Sequence, residues 1–70
     1  MSKKIIAREL RHSLVEQKIK MENSAMLLEE LAKTELEPHK TAILRRKSEL
    51  VGAATITQEW IDSLDHEYFS

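Results

Sequence analysis

From Ala7 to Leu31, a mostly apolar set recurs at alternating steps of three and four: Ala7, Leu10, Leu14, Gln17, Met21, Ser24, Leu28 and Leu31. An α-helix has about 3.6 residues per turn, so this spacing gathers the set into one coiled-coil-like seam along a long helix. A seam of this kind has to be covered by a neighbour. Val15, Ile19 and Met26 form a second stripe well off that line. One stripe serves one neighbour, and two stripes predict two. Gln17 and Ser24 interrupt the main seam, either to set register and partner number or because that part of the interface is wet.

The pattern breaks at Leu36-Glu37-Pro38. Proline biases the residue before it away from helical angles and suits the first position of a new helix, where its missing N–H costs nothing. A first helix is therefore expected over about residues 3–34 and a second over about 38–51. Their short connection predicts antiparallel neighbours, the competing possibility being one long helix kinked at Pro38. The second helix repeats the double pattern, with Ile43 and Leu50 on one stripe and Leu44 and Val51 on another. The hairpin core is thus read as Leu10, Leu14, Met21, Leu28, Leu31, Ile43 and Leu50. Val15, Ile19, Met26, Leu44 and Val51 are left for self-association or for a partner.

Gly52 directly after Val51 reads as a left-handed helix stop. Thr57 then reads as an N-cap, with Ile56 and Ile61 as a hydrophobic staple, and Thr55 with Gln58 offers a rival capping box. A short amphipathic helix over about 58–67 follows, with Trp60, Ile61, Leu64 and Tyr68 on one face. Those residues either pack back on Leu10 and Leu14 or anchor a partner, since aromatic residues dominate binding hot spots. The expected fold is all-α: an antiparallel hairpin of two long helices plus this short C-terminal helix, forming a helical bundle as a homodimer.

Charge strengthens the hairpin. Residues 1–20 stand at +4, 21–37 at −4, 38–51 at +3 and 52–70 at −4. Folding about residue 37 lays each block beside one of opposite sign. Single surface pairs contribute little, but the whole order favours the antiparallel register.

Seventy residues make one small domain with a thin core unless it associates. No cysteine is present, so disulfides and thiolate metal sites are excluded. No apolar run approaches the roughly 20 residues of a membrane span. The first residues lack the apolar stretch of a secretory signal, and a cytoplasmic setting without membrane attachment is expected.

Chemistry is harder to find. His12, His39 and His66 lack the three- or four-residue spacing of a helical metal pair, and no phosphate loop or nucleophile motif is present. No cofactor, metal or catalytic residue is expected. Thr57-Gln58-Glu59 is similar to the Ser-Gln-Glu-Leu-Asp signature of the small sporulation phosphatases, helical hairpins that act on phosphorylated response regulators. Here Trp60-Ile61-Asp62 replaces the Leu-Asp step, which moves the aspartate about 100° around the helix, so the activity is not carried over.

The expected function is a non-enzymatic protein-interaction module, such as a small adaptor, assembly factor or inhibitor, partnered by itself and by another protein. The alternative is nucleic-acid binding through Lys40, Arg45, Arg46 and Lys47. In length and layout the chain resembles the plasmid RNA-binding four-helix bundles built from hairpin dimers. Its slightly acidic balance runs against that alternative.

Overall fold

A computed structural model of the chain describes residues 2–70. It contains two helices, α1 (Lys3–Ala32) and α2 (His39–Tyr68), packed side by side as an antiparallel hairpin about 52 Å long and 15 Å across. Ser2 caps α1, its Oγ accepting a hydrogen bond from the Ile5 N–H at 3.2 Å, which satisfies one of the free donors at a helix start. α1 ends in a tightened turn. Lys33 and Thr34 donate backbone N–H groups to the carbonyls of Glu30 and Leu31, and the Thr34 hydroxyl donates to the same Leu31 carbonyl. The Glu37–Pro38 peptide is cis, and Pro38 occupies the cap position before α2.

The expected third helix is not a separate element. Residues 52–57, expected as a stop, a loop and a cap, are helical, and α2 runs through them to Tyr68. Gly52 has no positive φ, so it is not in the conformation that ends a helix. It faces away from α1 and is exposed, so the chain loses only about 1 kcal/mol of helix propensity there. The seam residues on either side, Leu50, Ala54, Thr57, Ile61 and Leu64, outweigh that loss by packing on α1. Thr55 and Thr57 do not cap: their hydroxyls donate back to the Val51 and Ala53 carbonyls at 3.1 and 2.9 Å.

The seam itself repeats every seven residues in both helices, but it is rotated from the expected line. In α1 it runs Ala7, Arg11, Leu14, Lys18, Met21, Ala25, Leu28 and Ala32, all buried or half-buried. In α2 it runs Ile43, Lys47, Leu50, Ala54, Thr57, Ile61, Leu64 and Tyr68. Ala7, Leu14, Met21 and Leu28 belong to both the expected and the observed line. Between them α1 presents Arg11, Lys18, Ala25 and Ala32 in place of Leu10, Gln17, Ser24 and Leu31, a turn of roughly 50° about its axis. Leu10 and Leu31, expected in the core, remain 41% and 47% exposed. The physical reason is close approach. Alanines at 7, 25, 32 and 54 are almost wholly buried, and they let the helix backbones come nearer than leucines would. The cations on the seam lay their aliphatic stems along it and keep their charged ends at the rim.

Charge reinforces the register at two points. The Arg11 guanidinium grips the Asp65 carboxylate through two nitrogens, at 2.5 and 3.2 Å, near the open end of the hairpin. Lys47 reaches Glu29 across the helices at 3.3 Å. One pair comes from each of the two block contacts that folding about residue 37 creates.

Candidate interaction surfaces

Two helices cover one stripe on each other and leave the rest to solvent. Among the described residues, twelve large apolar side chains are exposed and only six residues, four of them alanine, are buried. Apart from Leu36 in the turn, the exposed apolar residues divide by helical position between the two broad sides of the hairpin. Ile5, Ile19, Met26, Leu44 and Val51 lie on one side. Ile6, Leu10, Leu27, Leu31, Ile56 and Trp60 lie on the other.

The first side carries a groove of about 450 Å³ between the helices. Ala25 and Ala54 form its floor, because their short side chains leave room above the seam, while Met26 and Val51 stand beside it. Met26 is 64% exposed. Charges of both signs rim the groove: Lys18 pairs with Glu22 at 3.5 Å and Lys47 with Glu29 at 3.3 Å. The expected second stripe falls on this side as a set. Met26 and Val51 face each other across the groove, Val15 (half-buried) and Ile19 continue it along α1, and Leu44 lies one heptad before Val51. Nothing in the hydropathy pattern marks Ala25 and Ala54 as a groove floor; the available signal is that both are small residues at seam spacing.

At the open end of the same side, Arg8, Arg11, Asp65 and Phe69 line a shallow hollow. The hydrogen bond from Arg11 to Asp65, and then the carboxylate charge, raise the Arg11 pKa above its ordinary value. A basic group raised in the folded state stabilises it below the unfolded pKa, and the contribution is lost only as pH rises through the folded one. Both lie beyond ordinary alkaline conditions, so raising the pH leaves this contact intact, while salt screens it.

The aromatic cluster expected on one face divides. Ile61 is 3% exposed and Leu64 is buried beside it in the seam, with Tyr68 half-buried at the end of the same line. Trp60 turns away from the seam and is 58% exposed on the side that carries Leu10. Leu14, Met21, Leu28, Ile43 and Leu50 sit half-buried along the seam.

The basic residues of α2 do not form one surface. Lys47 lies in the seam against Glu29, Arg46 pairs with Glu49 at 2.9 Å, and Arg45 is exposed on the face opposite the seam. Lys40 is exposed near the start of the helix. His12 contacts Glu16 at 3.0 Å. Among the described residues, no group of three or more histidine or carboxylate side chains is placed to hold a metal ion, and no helix is long and apolar enough to cross a membrane.

No protein-family model matches the chain, and neither does any curated protein or solved structure.

Proposed function

We propose that the chain is a non-enzymatic protein-interaction module: a coiled-coil hairpin that associates with a second copy as a helical bundle and presents helical surfaces to a protein partner in the cytoplasm. One observation carries this reading. The hairpin leaves large apolar side chains uncovered on both of its sides, and contiguous apolar surface on a small protein marks interaction sites. The groove beside Met26 and Val51 suits an amphipathic helix laid lengthwise, with apolar residues at three- and four-residue steps on the alanine floor. Its rim of alternating sign asks for a partner helix bearing both acidic and basic flanks.

The test is a comparison of immobilised wild-type chain with the variant carrying Met26→Glu and Val51→Glu, at matched helicity. Proteins held by the wild type are expected to be lost from the variant. Retention of the same set by the variant would place the binding surface elsewhere. Nucleic-acid binding through Lys40, Arg45, Arg46 and Lys47 is the alternative, and two of those four are engaged by glutamates. Binding to RNA or DNA that weakens steeply with salt and is lost on substituting Lys40 and Arg45 would overturn the protein-partner reading.

A further inference from the structure

We infer that the second copy covers the side bearing Leu10 and Trp60, with the two hairpins antiparallel about a twofold axis that crosses the hairpin near residues 20 and 56. This rests on the self-association proposed above and adds the face, the orientation and the paired residues.

The seam distinguishes the two sides. Its half nearer the Leu10 side carries Leu14, Met21, Leu28, Ile43, Leu50 and Leu64, with Ala7 and Thr57 completing the two rows, and of the six large apolar residues only Leu64 is buried by the hairpin alone. Its half nearer the Met26 groove carries Arg11, Lys18 and Lys47 with Ala25, Ala32 and Ala54, and its large apolar members, Ile61 and Tyr68, lie only toward the open end. A four-helix core built on the groove side would have to bury three cationic stems and their charged ends, which is costly unless each is fully paired. On the Leu10 side the same step would complete the burial of side chains already half out of water.

The edges of that side are also complementary to themselves when reversed. Along α1 the edge residues, seven apart, are Leu10, Gln17, Ser24 and Leu31. Read from the other end they run Leu31, Ser24, Gln17 and Leu10, so an antiparallel copy sets leucine on leucine and glutamine beside serine. The centre of this pattern lies between residues 20 and 21. Along α2 the corresponding edge is Arg46, Ala53, Trp60 and Glu67. Reversal sets Trp60 over Ala53 of the other copy and Arg46, which pairs with Glu49 in its own helix, beside Glu67, a large side chain on a small one and a cation near a further anion. The centre of that pattern lies between residues 56 and 57.

One axis has to serve both helices, and the hairpin register allows it. Arg11 lies level with Asp65 and Glu29 level with Lys47, so residues 20 and 21 lie level with 55 and 56. The two centres therefore agree to within one residue, about 1.5 Å along the helix. On the α1 edge the polar pair, Gln17 and Ser24, then meets near the middle of the bundle, where it sets the register. Lys20 and Glu49 occupy outer positions on this side and remain at the wet rim.

The experiment uses the full chain, which has no cysteine of its own. Sedimentation equilibrium gives the mass, and spin labels on Lys20→Cys and Lys3→Cys variants, measured by pulsed electron resonance, give the orientation. Two labels related by this axis separate along the bundle by about 3 Å per residue of distance from it. Lys20 labels are therefore expected near each other, and Lys3 labels about 50 Å apart. Trp60→Lys is expected to yield monomers, while Met26→Glu with Val51→Glu leaves the mass unchanged. A monomer at all concentrations would refute self-association itself. A dimer with short separations at both labelled positions, or one lost on changing Met26 and Val51 but kept on changing Trp60, would refute this face and axis alone.

Discussion

Gly52→Ala separates two accounts of the second half of the chain. In the structure Gly52 lies in the interior of α2, opposite the seam, with no positive φ. A Cβ built there meets nothing within 4 Å, so alanine adds no clash and removes no contact. What changes is conformational freedom. Glycine loses more on entering a helix than alanine does, and its unfolded chain has more states to lose. In an exposed helix interior the difference is about 1 kcal/mol in favour of alanine. For a domain of this size that raises the melting temperature by about 4–8 °C. The assay is helical circular dichroism during heating and during urea titration, with both chains at equal concentration, since the stability of an associating protein depends on concentration. The urea slope should stay the same, because the surface exposed on unfolding does not change. A helix that stopped at Gly52 would instead hold it in the left-handed region, where alanine is strained. A fall in melting temperature would therefore refute the continuous α2.

Other substitutions probe the seam. Ile61→Ala removes a buried side chain and should cost about 2–4 kcal/mol, whereas Ile19→Ala on the groove side should change stability by no more than about 0.5 kcal/mol. Equal effects in urea melts would mean that the buried stripe is misplaced. Ala32→Leu forces volume into a close helix contact and should destabilise by about 1–3 kcal/mol, while stabilisation would favour the line through Leu31. Arg11→Ala should lower the melting temperature at low salt, with the gap to wild type narrowing in high salt. If the gap is independent of salt, Arg11 acts by packing its stem rather than by its charge.

Local rules were enough for the helices and their direction. Pro38 follows the end of α1 and precedes the start of α2, and the alternating charge blocks anticipate Arg11 with Asp65 and Lys47 with Glu29. These features depend on a residue's own backbone or on charge summed over long stretches, and both are readable in one dimension. The packing line was not readable in that way. Ala7, Leu14, Met21 and Leu28 fit two seams equally well, and hydropathy prefers the one through Leu10 and Leu31. The structure uses the one through Ala25 and Ala32, because the distance between helices depends on what both present at the same level. Alanine gains little from leaving water, yet it allows the close approach that draws in its neighbours. Gly52 follows the same logic: alone it reads as a stop, but with Leu50, Ala54 and Ile61 packed on α1 the helix continues through it. Trp60 faces solvent because the rotated seam passes through Ile61 and Leu64, one step around the helix. The sequence by itself determined which segments are helical outside residues 52–57 and that they lie antiparallel. Only the tertiary structure decided which stripe each helix buries, because that choice depends on the shape of the opposing helix.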